Sequence, residues 1–256
     1  MSKSNSNRQR RETVEQLRKK AKADERRRTL VVVSICAVLA LLIVGVAAYS
    51  IWDQRKQNEE IAGKGLASFG ASLSAANCDP VQEEDATGVN EHVTTKVIYE
   101  TTPPSFGPHN PTADTSRTYF YTADDRPDAE VLVHNLEHGW TIVWYDDTTA
   151  DDDAKMDSLR DAATNLEQSG GPENNVIIAP WTADDGGDPF PEGKHVAFTH
   201  WSVHQPEYDP EVFQQESVPS YGVSQFCASF SGEGLEDFME KYPYDDAPEG
   251  YLWHQG

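Results

Sequence analysis

The run VHNLEHGW at residues 133–140 sets two imidazoles four positions apart, with a carboxylate just before the second: His134, Glu137 and His138. An i, i+4 pair shares one face of a helix. An even spacing also keeps two side chains on one face of a strand. Either element therefore lets both rings grip one ion, and imidazole nitrogen suits zinc, copper, iron or nickel. Glu137 joins that face only if the segment is helical, and Gly139, next in the chain, suits a helix C-cap. A third nitrogen comes from His109 in GPHNP, a proline-stiffened loop that loses little entropy on ordering. The expected donor set is His109, His134 and His138, with Glu137 either orienting an imidazole or serving as fourth ligand. Copper or zinc is the expected ion. The competing expectation is a structural polar cluster that ties the loop to the body. Truncating one partner of such a cluster costs about 1–3 kcal/mol.

Other motifs carry less. HNLEH has the H-x-x-E-H order of inverted zinc peptidases, but Gly139 and a strand pattern follow at once, where that chemistry needs a longer helix and a distal acidic ligand. His195, His200 and His204 lie in HVAFTHWSVH, with His200 and His204 on one face and His195 on the other. Histidine on a half-buried strand usually bonds locally, so this group is read as structural. TADDGGDP lacks the order of a calcium loop. It reads as a solvated turn, as do DDTTADDD and YPYDDAPE. The chain has no serine nucleophile elbow, phosphate-cradling glycine loop or dinucleotide fingerprint. The balance lies against an enzyme.

The elements that must position these residues mix strands and helices. Alternating or β-branched runs predict strands at VTTKVIYE (residues 93–100), TYFYT (118–122), WTIVWYD (140–146), NVIIAPW (175–181) and HVAFTHWSVH (195–204). Residues 148–171 predict a helix, with acids at its start and glycines at its end. EGLEDFMEKY at 233–242 predicts another, with a core-facing stripe of Leu235, Phe238, Met239 and Tyr242. The expected fold is α+β: one compact outer domain with a mainly antiparallel sheet and flanking helices, preceded by one transmembrane helix.

That helix is expected at residues 30–52, LVVVSICAVLALLIVGVAAYSIW, which carry no charge. At ~1.5 Å per residue the run reaches about 35 Å, enough to cross a ~30 Å hydrocarbon core. Tyr49 and Trp52 suit the interface, and Arg26, Arg27 and Arg28 precede the run. The positive-inside rule then keeps the N-terminus in the cytoplasm and sends the C-terminal domain outside. Cleavage after Ala47 or Ala48, as in a signal peptide, is the rival reading, although the apolar run exceeds a usual h-region. Residues 1–29 form a basic tail, residues 53–77 a polar then Gly/Ser-richer stalk, and residues 78–256 the extracytoplasmic domain. Residues 1–28 hold eleven basic and four acidic side chains, whereas the whole chain carries −22. An acidic body repels phosphates, so nucleic acid is excluded as a partner. The bilayer is the expected partner of residues 30–52. The alternative to metal binding is a scaffold or accessory subunit that meets other membrane proteins. Cys78 and Cys227 are the two cysteines of the outer domain, and export favours their disulfide. A free Cys227 acting as a metal ligand is the alternative.

Three stretches together, TPPSFGPHNP, EVLVHNLEHGWTIVWY and HVAFTHWSV, resemble the actinobacteria-rich family catalogued as domain of unknown function 3105, over roughly residues 78–255. The H-N-L-E-H-G motif before an aromatic strand is the most specific part. The resemblance implies a single-span exported domain without an assigned role, and its pattern falls on His109, His134, Glu137, His138 and Gly139. The chain departs from it at Asn110, where members often carry a second histidine. It departs again at His200, Trp201 and Ser202, where alanine-tryptophan-glycine is commoner.

Overall fold

In the computed structural model, which describes residues 2–204 and 219–250, the longest element is a single helix, α1 (Ser2–Ala62). Uncharged residues 30–52 lie within it. A window of mean hydropathy 3.1, none of it buried, makes α1 long and apolar enough to cross a membrane. By contact the chain divides into two units, residues 1–57 and 58–256.

The second unit is built on a five-stranded sheet, β1 (Gln82–Asp85), β2 (Thr141–Tyr145), β3 (Val176–Pro180), β4 (Val196–Ser202) and β5 (Tyr221–Cys227), in the order β1-β5-β4-β2-β3. Among the described residues β2–β3 is the one parallel strand pairing, and the other three are antiparallel. β2, β3 and β4 are buried along their whole length. That is why β2 and β3 read as near-continuous apolar runs rather than alternating ones, while β4 buries Thr199, His200 and Ser202 among its apolar residues. The connection between the parallel pair runs through α4 (Asp147–Ala150) and α5 (Asp153–Ser169). Asp146 and Asp152 cap these helices by accepting from backbone N–H groups of their first turns.

Alternate residues of the sheet feed two cores. Val143, Tyr145, Ile178 and Phe198 meet Leu159 and Leu166 of α5 and Phe238 of α6 (Gly232–Lys241). Ile142, Trp144, Ile177 and Trp201 meet Leu132, Val133 and Leu136 of α3 (Ala129–Glu137) on the opposite face. The domain is α+β with a mostly antiparallel sheet, as the sequence predicts. Its packing extends upstream of residue 78: Leu66 and Phe69 are buried in the α5/α6 core, and Ala76 closes α2 (Leu73–Ala76).

Several elements differ from the sequence expectation. Residues 93–100 form no strand. Val97 packs inward and Ile98 is exposed, so the alternation is real, but no strand lies alongside. Val93 N–H donates to the His109 carbonyl and Val97 N–H to the Glu130 carboxylate instead. Residues 118–122 contribute one isolated bridge, Phe120 to Ile178. β1 and β5 are additional. β1 is a fully exposed acidic edge, whose charges discourage further pairing. β5 interleaves Ser224 and Gln225 with apolar residues, which hides its period. The acidic turns are not all solvated. Asp185 is buried against the Arg126 guanidinium, and Asp246 accepts from Ser202 Oγ and Val203 N–H.

Cys78 and Cys227 form a disulfide that closes a sequence separation of 149 residues and ties the segment before β1 to the end of β5. Restricting so long a loop in the unfolded chain is worth about 3–5 kcal/mol. Cys227→Ser is therefore expected to lower the unfolding free energy of the oxidised protein by that amount. A denaturant midpoint equal to that of wild type refutes this.

Candidate metal centre

The site is assembled where α3 stops. His138 leaves the helix with φ −86° and ψ 13°, and Gly139 takes φ +83°. A Cβ at 139 would lie 1.7 Å from the Tyr244 carbonyl oxygen, so both the conformation and the space require glycine. That close approach brings the segment after α6 beneath the helix end. There Glu249 N–H donates to the Glu137 carbonyl at 2.9 Å, satisfying one of the acceptors a helix C-terminus leaves open. Because the segment is helical, His134, Glu137 and His138 share one face.

The proline loop supplies the opposite wall. His109 N–H donates to the Glu91 carbonyl at 3.0 Å, and Val93 N–H to the His109 carbonyl at 2.7 Å. This short parallel pairing lays His92 beside His109. The ring of His92 is 4.8 Å from that of His109 and 5.2 Å from that of His134, centroid to centroid. His134 and His138 stack at 4.7 Å.

Backbone carbonyls fix the tautomers of two rings. Carbonyl oxygens only accept, so His109 Nδ1–H donates to Gly107 at 2.8 Å and His134 Nδ1–H donates to Asn110 at 2.6 Å. In the neutral rings each Nε2 then carries a lone pair, and both lone pairs face the cluster. His109 Nε2 lies 2.9 Å from Glu137 Oε2. Yet both atoms are buried and neither meets a hydrogen-bond direction with any group. At this distance a neutral ring and the carboxylate are two acceptors, which a proton or a cation between them would satisfy. His134 Nε2 accepts from His138 Nε2–H at 2.8 Å, and His138 Nε2 lies 3.3 Å from Glu249 Oε2. His92 Nε2 is 4.0 Å from Glu137 Oε2.

Two overlapping groups result: His92, His109, His134 and Glu137, and His134, His138 and Glu249. Within each group one donor atom per residue lies within 4.8 Å of every other. Metal–nitrogen bonds of ~2.0–2.1 Å set tetrahedral ligands about 3.3 Å apart, so small rotations would open the shorter pairs to fit a transition ion. Carbonyls holding the far ring nitrogen are the usual support for such ligands. His109 is fully buried beside the edge of Trp201, whereas His92 is half-exposed and His138 and Glu249 are partly open.

Charge follows this geometry. Burial alone would push His109 toward its neutral form. The Glu137 carboxylate, the Gly107 carbonyl and the charge of Glu249 outweigh it, so His109 holds a proton more readily than ordinary imidazole. His134 and His138 are shifted the other way, chiefly by burial. Glu249 is raised by burial and by Glu137.

Of the four residues picked out by sequence, His109, His134 and Glu137 fall in one group, and His138 falls in the second, which shares His134. The sequence gives no role to His92 and reads Glu249 as part of a solvated turn. Both arrive through backbone pairings distant in sequence, 91–93 with 109 and 249 with 137, which no local spacing announces. The later histidines stay apart from the cluster. His195 pairs with Asp146 at 2.8 Å, and His204 lies 3.4 Å from Glu83. His200 is fully buried, with Thr141 Oγ1 at 3.3 Å and the Asp246 carbonyl, to which Nε2–H donates, at 3.1 Å.

An α+β domain behind an apolar helix, holding a His/Glu cluster where a helix end meets a proline loop, is the class this chain defines. The model of the family described as protein of unknown function DUF3105 matches residues 92–252, and the chain belongs to that family. The matched span contains all six side chains of the cluster. No curated protein and no solved structure matches the chain.

His200 makes the pH dependence of folding testable. Burial lowers its pKa from the usual 6.5. Below about pH 6.5 the unfolded chain takes up a proton that the folded one refuses. This contribution leaves stability unchanged above that pH and reduces it as pH falls, by up to about 1.4 kcal/mol per unit. Urea unfolding at pH 7.5, 6.5 and 5.5 is expected to show a shallower acid slope for His200→Asn than for wild type. Parallel slopes refute it.

Proposed function

We propose that this protein is a membrane-anchored, extracytoplasmic metal-binding module that holds copper or zinc through His109, His134, His138 and Glu137, with His92 and Glu249 at the open side. The observation that carries this reading is the convergence of the His109 and His134 Nε2 lone pairs on Glu137 and His138, with both rings fixed by backbone carbonyls. His138 Nε2–H can donate to the His134 lone pair, whereas the His109 lone pair and the Glu137 carboxylate repel unless an electropositive species lies between them. Imidazole-rich sets favour zinc and copper over calcium or magnesium.

The placement rests on α1, on the arginines preceding its apolar stretch, and on the disulfide, which suits an oxidising compartment. On this reading residues 30–52 sit in the bilayer, the basic tail faces the cytoplasm and the acidic domain faces outward. External protease added to intact cells should then degrade the domain while an epitope fused at residue 1 survives. Loss of the epitope with survival of the domain would invert the topology.

The metal reading is tested by elemental analysis of detergent-solubilised protein carrying no histidine tag. Copper or zinc at one equivalent or more per chain is expected. His134→Ala should weaken binding by at least about a hundredfold, since weakening a ligand's support alone costs 10–100-fold. A metal-free wild type, with a His134→Ala variant that merely melts earlier, would make the cluster structural.

A further inference from the structure

The six side chains exceed what one ion of the expected kind takes, since zinc sites almost always have four ligands. His134 is the joint between the two groups. Its Nδ1 is committed to the Asn110 carbonyl, so only Nε2 is free to ligate, and one lone pair serves one ion. Assigning His134 to His138, whose Nε2 lies 2.8 Å from its own, leaves His92, His109 and Glu137 as a separate set. Each set is then two imidazoles and one carboxylate. Resting on the metal-binding reading above, we propose that the cluster is a dinuclear centre, with an inner ion held by His92, His109 and Glu137 and an outer ion held by His134, His138 and Glu249.

The division follows the fold. Both inner imidazoles come from the paired loop strands at 92 and 109, and both outer ones from the last turn of α3. The backbone hydrogen bond from Glu249 N–H to the Glu137 carbonyl holds the two residues side by side. Each set contributes one negative charge to one divalent first-row cation, so neither ion depends on a single shared carboxylate. Two-metal sites place their ions about 3.5–4 Å apart, a separation compatible with ring centroids 4.9–5.2 Å apart between His134 and the inner imidazoles. Three protein ligands per ion leave coordination positions for solvent or a small oxygen-donor ligand between the metals. The carboxylates also differ in access: the Glu137 side chain is 4% exposed and that of Glu249 33%. Binding should therefore be stepwise, with the outer ion exchanging faster.

The test uses the full chain in detergent, stripped of metal and titrated with Zn(II) and, separately, Cu(II). Two equivalents are expected for wild type. Glu249→Gln keeps the backbone bond to Glu137, and His138→Asn attacks the same set from α3. Each should weaken one step by about a hundredfold and leave the other within about threefold. With Cu(II), the wild type at two equivalents should give fewer detectable electron spins than copper atoms, because neighbouring ions couple. Glu249→Gln, holding one copper, should give equal numbers. One equivalent for wild type, or loss of all metal together in both variants whose circular dichroism matches wild type, overturns the dinuclear assignment while leaving metal binding in place. No metal in wild type overturns both.

Discussion

Two hydrogen bonds from imidazole to backbone hold the loop and the helix in one arrangement. His109 Nδ1–H reaches a carbonyl two residues back in its own loop, which fixes the ring inside the turn. His134 Nδ1–H crosses from α3 to the carbonyl of Asn110, next to His109. The second bond docks the loop on the helix, and the first aims the loop's ring at the helix face. Each carbonyl also dictates which nitrogen keeps its proton. Loop position, ring orientation and lone-pair direction are thus set together. Asn110 acts through its main-chain oxygen, so the asparagine found there in place of a second loop histidine leaves this contact intact.

The sheet makes that arrangement rigid. β2, β3 and β4 are buried on both faces, so they cannot shift without opening two cores. α3 packs Leu132, Val133 and Leu136 on one of these faces, and its opposite side is left to His134, Glu137 and His138. Trp201 of β4 lies against His109 and carries the support of the sheet into the loop. Beneath the helix end, the contact of Gly139 with Tyr244 leaves no room for a side chain. The same approach delivers Glu249 and also Asp246, which holds the end of β4. One glycine therefore couples the end of α3 to the chain's last described segment.

How far the sequence was legible follows from the range of each interaction. The i, i+4 spacing of His134 and His138 survives either secondary structure, so it is readable from the string alone. The proline loop marks His109 because its stiffness is local. β2 to β4 are visible through their apolar runs, and α5 and α6 through caps and periodicity. What local chemistry does not encode stays hidden. Residues 93–100 look like a strand because their side chains alternate. Whether a strand forms depends on a neighbour, and the neighbour here is a loop carbonyl and the Glu130 carboxylate. His92 and Glu249 join the cluster through such non-local bonds. In a chain this acidic, a glutamate in YPYDDAPEG gives no sign that it differs from the solvated ones.

The acidic surface and the buried cluster select by different physics. Clustered carboxylates attract cations of any kind, weakly and with screening by salt. They concentrate ions without choosing among them. Choice requires donors that hard, strongly hydrated ions do not favour, and buried imidazole nitrogens are such donors. Burial also sets the terms of competition. A carboxylate as enclosed as that of Glu137 is costly to leave without a positive partner. The Glu137 carboxylate and the Gly107 carbonyl raise the proton affinity of His109 against its burial, so on the proposed reading a proton competes with a metal for its Nε2. A metal that enters must displace that proton, so on the proposed reading occupancy is coupled to the pH outside the membrane. Burial shifts His134 and His138 the other way, toward their neutral forms.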